Sequence, residues 1–276
     1  MQVWPDAAVG SAPFAIVVVE VASPREVTIY RSSPGGTVKV RGGKIHASGS
    51  TLVRDFEVPL NTKVRYWAVD SSGEQVDGPV ETLVNTPYAW IHDADAPSVG
   101  LPIAGVEEDG CLILENDSLK DVTRDSRGET AQVIGSRYPV ALGGGRHGGT
   151  GISMNLIACW ESTRDAFASM IDGGGVLCIR GILRDKWKLP EVGFLNASSA
   201  KLSTIDEYGD PWWRASLSGE LVRGPTRPIV FSVVTYDDVD AALAAENFTY
   251  DSAEDATRPA EMTYTDVDRR GARSFV

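Results

Sequence analysis

The segment Gly151–Arg180, GISMNLIACWESTRDAFASMIDGGGVLCIR, constrains the fold more than any other part of the chain. Ile152, Met154, Leu156 and Ala158 alternate with Ser153, Asn155, Ile157 and Cys159, close to the period of two expected of a half-buried strand. A helix over 161–171 follows, with Ala166, Phe167 and Met170 at helical spacing. Ser162 or Thr163 offers a cap, and Asp165 offers a first-turn negative charge that suits the helix dipole. Gly173-Gly174-Gly175 ends the helix, because glycine enters positive φ without a Cβ clash. Val176–Ile179 then reads as a buried strand. One helix laid across an otherwise β-rich chain predicts a β scaffold braced on one side.

Charge narrows the function. The chain has 38 Asp and Glu against 26 Lys and Arg, a formal net charge of −12. Affinity for a phosphate backbone comes mainly from Lys and Arg displacing counterions, so stable nucleic-acid binding is not expected. Cys111, Cys159 and Cys178 cannot form a closed disulfide set, and no pair has metal-ligand spacing. The opening MQVWPD lacks the basic segment of a secretory signal. Phe14–Val19 is an apolar run of strand length, far short of the roughly 20 residues that cross a membrane, so membrane insertion is not expected.

Residues 1–92 read as all β. Phe14–Ala22, Glu26–Ser32, Thr37–Arg41, Lys44–His46, Thr51–Val58 and Lys63–Asp70 are strand candidates. Pro34-Gly35-Gly36, Gly42-Gly43 and Ser71-Ser72-Gly73 are turn signals between them. Short strands at this spacing predict a β-sandwich. The stretch Leu60–Gly73, LNTKVRYWAVDSSG, resembles the end of a fibronectin type III domain, with Leu60 six residues before Tyr66. The resemblance implies a tyrosine hydroxyl bonded back to the corner backbone. Residues 93–102 read as a proline-containing linker that includes Pro97 and Pro102.

Residues 103–234 form the second unit. Its strand candidates are Cys111–Leu114, Thr130–Ile134, Tyr138–Leu142, Trp187–Phe194, Lys201–Ile205 and the long alternating Trp212–Val222. Residues 235–276 form a helical tail, with a short helix at Asp237–Glu246 and Thr-Tyr pairs recurring at Tyr236, Tyr250 and Tyr264.

Candidate chemistry is sparse. The loop GGGRHGGTG, Gly143–Gly151, lacks the lysine and the following helix of a nucleotide P-loop, which leaves Arg146 and His147 as candidate subunit contacts. His46, His92 and His147 lie in separate regions, so neither a zinc site nor a catalytic triad is legible, and no cofactor is expected. Asp93-Ala94-Asp95 and Glu107-Glu108-Asp109 read as solvated turns, because calcium loops space their acids more regularly. Trp212 and Trp213 are adjacent in a strand and point to opposite faces, so one is free to stack on a glycan or a partner protein. Tyr236 and Tyr250 are further candidate contacts.

Five features in this order resemble the minor tail and distal tail proteins of long-tailed phages of actinobacteria. They are Ser136–Val140, the strand and helix of Gly151–Met170, Gly175–Arg180, the strand opening Trp212-Trp213-Arg214 and running to Pro228, and the Thr-Tyr-Asp tail. The resemblance implies a mainly β chain: a fibronectin-like sandwich, then a tail-tube-like two-sheet domain with one flanking helix. It implies a ring, typically a hexamer, that contacts neighbouring tail tube and tail tip proteins. It also implies location in the virion tail after assembly in the host cytoplasm, and no enzymatic activity. A glycan-binding adhesin that contacts the host surface is the alternative, and a cell-wall hydrolase the third reading.

Overall fold

The computed structural model describes residues 1–6, 12–97, 99–116, 118–119, 122–124, 129–131, 134, 140–142, 149–181, 189–205 and 212–227. The chain divides into two units, Met1–Ile229 and Val230–Val276, and every described residue belongs to the first. The predicted tail helix, Tyr236 and Tyr250 therefore lie outside the described residues. The fold is mainly β, with one α-helix among the described residues.

The front of the chain is a single hydrogen-bonded sheet of β1 (Gln2–Asp6), β2 (Phe14–Ser33), β3 (Gly36–Asp55), β4 (Lys63–Asp70) and β5 (Gln75–Leu83). β2 and β3 form a long hairpin turned at Pro34-Gly35. Its register shifts between Val21 and Arg25 and again between Thr28 and Tyr30. Gly42-Gly43 lies opposite the second shift, so it is a bulge inside one strand and not the hairpin turn that the glycine pair suggested. β1 and β4 pair with successive stretches of the same side of β2, through Phe14–Val18 and Val27–Ser32. Val17 and Val19 from one half of β2 share a core with Val27 and Ile29 from the other, and with Val40, Val64, Tyr66 and Ala68. One sheet bending over its own core thus replaces the expected two-sheet sandwich. The two register shifts bend the hairpin, because an extra residue in one strand kinks it and increases its twist.

Tyr66 is fully buried, as the fibronectin resemblance implies, but its hydroxyl donates to Asp55 Oδ2 at 2.8 Å and not to a corner carbonyl. Tyr66→Phe is expected to lower stability by roughly 1.5–3 kcal/mol, the range for a hydrogen bond to a charged acceptor. Urea unfolding of the two proteins measures this, and an unchanged midpoint would refute it.

The second part is a closed barrel in the order β11-β14-β13-β12-β6-β7-β8. These strands are β6 (Ala89–Asp93), β7 (Gly100–Ala104), β8 (Leu112–Leu114), β11 (Ile152–Ala158), β12 (Leu177–Arg180), β13 (Val192–Thr204) and β14 (Trp213–Val222). A small hairpin of β9 (Glu129–Ala131) and β10 (Val140–Leu142) stands apart from it. The expected linker at 93–102 is instead the turn and second strand of the β6–β7 hairpin. Pro102 fits there because β8 pairs with β7 only from Ile103 onwards, so the missing amide is not needed on that side. With these two strands added, the second part closes into a barrel where two packed sheets were expected. The core holds Ile91, Leu112, Ile152, Met154, Leu156, Leu177, Leu195 and Leu217.

The helix α1 (Glu161–Asp172) connects β11 to β12 and buries Thr163, Phe167 and Met170. Trp160 is its N-cap without a side-chain bond, so neither Ser162 nor Thr163 caps it, and the first-turn acid is Glu161, not Asp165. Gly173 and Gly174 end it, with Gly174 at φ 66°.

Candidate functional site

β14 presents Ala215 and Leu217 to the barrel core, with Arg214, Ser218 and Glu220 exposed, as its alternation predicts. Trp213 shares the face of Ala215 but sits at the strand's end, only partly buried. The Arg164 guanidinium of α1 lies 4.5 Å from its ring centroid. Arg164 is itself held by Glu161 at 2.9 Å and Asp165 at 2.6 Å. This cation–π contact ties the helix to the strand and occupies a face of the ring. Trp212 is 38% exposed, and its carbonyl accepts from the Ile205 amide at 2.8 Å. Of the two tryptophans, Trp212 therefore retains the more accessible surface. Arg146 and His147 lie outside the described residues.

The acidic turns are engaged by the protein itself. Asp95 receives both arms of Arg227, which holds its carboxyl below the usual range, and Asp93 accepts the Asp95 amide at 2.8 Å. Glu108 accepts the Tyr88 hydroxyl. Among the described residues, no group of three or more His, Cys, Asp or Glu side chains is arranged to hold a metal ion. The three cysteines are all buried.

A second constellation was not legible in the sequence. It lies between the front sheet and the barrel. Arg31 Nη1 donates to Asp55 Oδ2 at 2.6 Å, and the Glu57 amide donates to Asp55 Oδ1 at 3.0 Å. Arg41 of β3 meets Glu57 at 2.9 Å and donates to the Ala94 carbonyl just beyond β6. Arg180 of β12, fully buried, donates through Nη1 to the Val58 carbonyl at 3.1 Å. His92 of β6 is also fully buried, with Nδ1 3.0 Å from the Asp93 carbonyl oxygen. Each of these side chains sits in a strand or a strand-to-loop junction and reads locally as an ordinary alternation residue. Only the packing of sheet on barrel brings them together. Guanidinium groups reach carbonyls across the junction and link the two β parts, Arg41 to Ala94 and Arg180 to Val58.

Burial dominates the titration of this seam. It raises Glu57 to about 7 against the pull of Arg41, and it lowers His92 to about 3 with Arg180 and Arg41 adding repulsion. It also pushes the Cys178 thiol up to about 12, so that cysteine is not a nucleophile near neutrality. The two main shifts act in opposite directions on stability. Folded Glu57 keeps a proton that the unfolded chain has released above its ordinary 4.5, so its contribution is complete below that pH and is lost as pH rises through about 7. Folded His92 refuses a proton that the unfolded chain binds below 6.5, so its contribution is complete above 6.5 and is lost as pH falls through about 3. Glu57→Gln should remove the first effect alone. Relative to that variant, the wild-type protein is expected to lose on the order of 3 kcal/mol between pH 4 and 8. Urea unfolding across that range checks this, and parallel stability curves would refute it.

Neither a protein-family model nor a curated protein matches this chain.

Proposed function

We propose that this chain is a structural component of a phage tail tip, which forms or joins a ring around the DNA channel and links the tail tube to tip proteins. The observation that carries the reading is the body itself: a β barrel with the helix α1 packed on it, and the front sheet fastened to it by buried Arg41 and Arg180. Such a body transmits load between neighbours without internal rearrangement. On this reading the partners are further copies of the chain, as a hexamer, and adjacent tube and tip proteins. The chain turns over no substrate, needs no cofactor, and resides in the virion tail after assembly in the host cytoplasm.

The charge of −12 supports passage of DNA without capture. Acidic groups that face a channel repel phosphate within a screening length of about 8 Å. Negative-stain imaging of the purified chain at high concentration tests the reading. Closed rings with a central opening are expected, and particles that never enclose an opening would overturn it.

One observation favours the adhesin as a second reading. Trp212 keeps an accessible indole at a strand end, the kind of surface that stacks on a sugar ring. Binding to a glycan array that Trp212→Ala abolishes, with the fold retained, would favour it over the first.

A further inference from the structure

The distal half of β13 has an unusual environment. β12 pairs with β13 only from Val192 to Leu195. From there to Thr204, β13 is held on one side by β14, and among the described residues no strand covers its other edge. Its side chains are uncovered as well. Asn196, Ser198, Ser199, Ala200, Lys201, Leu202 and Thr204 are all exposed. Leu202 lies directly across from Ala215 and so points to the core side of the sheet, yet it is 44% exposed. Ile205 and Trp212, at 43% and 38%, lie at the adjoining end of the hairpin. Among the described residues, the barrel thus extends an arm with one strand edge unpaired and with exposed apolar side chains.

A strand edge of this kind is a template for pairing with another strand, and proteins usually blunt it with charges or bulges. One bulge is present, between Ala197 and Ser199. It is built on Gly219, where a Cβ would collide with the Asn196 carbonyl oxygen. Beyond the bulge the run Ser199–Thr204 carries a single charge, Lys201.

We propose that Ser199–Ile205 pairs edge to edge, antiparallel, with the same segment of a second copy of this chain. Two copies that each carry −12 repel, so they meet most readily through a segment without acids; Ser199–Ile205 has none, with Asp206 and Glu207 just beyond it, and the exposed Leu202 sets the register. In a two-fold antiparallel pair, one residue must face its own copy, because hydrogen-bonded and non-hydrogen-bonded positions alternate along the ladder. Centring on Lys201 would oppose two cations, which destabilises a cross-strand pair. Centring on Leu202 sets it against itself, Lys201 against Ser203, Ala200 against Thr204 and Ser199 against Ile205. That register buries the exposed leucine and opposes no like charges. A two-fold contact closes at two copies, so it is separate from any head-to-tail contact that would make a ring and does not depend on that reading.

The test uses the full chain. The native cysteines are buried, so Leu202→Cys adds the one accessible thiol where the two-fold axis passes. Under mild oxidation L202C is expected to cross-link to a dimer at least about tenfold faster than Ser48→Cys, an exposed control on β3. In parallel, sedimentation equilibrium should show the dimer dissociation constant rising about tenfold or more in Leu202→Lys. Cross-linking of L202C no faster than the control would overturn the proposal, even if L202K fails to fold. So would a dimer that L202K leaves unchanged. Absence of rings in images, with fast L202C cross-linking, would count against the tail-ring reading alone.

Discussion

Asp55→Ala is expected to lower stability by roughly 3–5 kcal/mol, the cost of leaving one member of a buried ion pair without the other. Asp55 is almost completely buried, and its carboxylate accepts three hydrogen bonds: from Arg31 at 2.6 Å, from the Tyr66 hydroxyl at 2.8 Å and from the Glu57 amide at 3.0 Å. Alanine removes all three acceptor contacts and leaves the Arg31 guanidinium with a charge that it cannot give up. Burial pulls the Arg31 pKa down, but the Asp55 charge outweighs it and the net shift is upward, so this pair holds the cation in place. A small domain is stable by only about 5–15 kcal/mol, so the loss is a large share of the total. The same geometry predicts non-additivity. In the Asp55→Ala background, Tyr66→Phe should cost little, because its acceptor is already gone. Urea unfolding of the two single variants and the double variant measures the coupling. A loss below about 1 kcal/mol for Asp55→Ala would mean that water enters the seam and solvates Arg31.

Arg180→Met should move stability the other way, raising it by about 1 kcal/mol, because relief of an unpaired buried charge exceeds the loss of the one bond to the Val58 carbonyl. Arg180 is fully buried, and only Nη1 has a partner, the Val58 carbonyl; Nε and Nη2 have none among the described residues. Burial lowers its pKa, with the Arg31 charge adding to the fall while Cys178, Asp55 and Glu57 oppose it. Arg180 therefore carries a desolvation cost that its hydrogen bonding does not offset, and methionine fills a similar volume without the charge. The variant should also relieve His92, whose pKa Arg180 helps to depress, so the His92 titration should move upward. Thermal and urea unfolding read the first effect, and NMR titration of the imidazole reads the second. A loss of more than about 2 kcal/mol would show that the guanidinium is worth more to Asp55 and Glu57 than its burial costs. If the methionine variant is more stable but the front sheet exchanges amide protons faster near Val58, Arg180 is there to fix orientation at a cost in stability.

Local pattern was enough for β4, β11, α1 and β14, where one face of each element is covered and the other is solvated. Ala215 and Leu217 alternate with Arg214 and Ser218 in the chain as they do in the sheet. The paired strands at 93–102 were not legible, because prolines there carry the signal of a connector, while the strand that pairs with Pro102, through Trp90, lies earlier in the chain. Gly42-Gly43 misled in the same way: a glycine pair marks a turn or a bulge equally well, and the strand opposite decides which. Within the candidate site, the alternation found the strand of Trp213 but not Arg164, which covers its ring from the helix.

The amino-acid sequence alone determined the β-rich character of this protein, its acidic balance, the helix α1 between two strands, and the faces that most strands bury. Those follow from periodicity and charge, which are properties of near neighbours. Tertiary structure decided that the barrel closes, that Arg31, Arg41, Glu57, His92 and Arg180 meet in one buried seam, and that, among the described residues, half of β13 has a strand on one side only. Each of those depends on pairing between segments far apart in the chain, such as Arg180 with Val58, and no local window contains both partners.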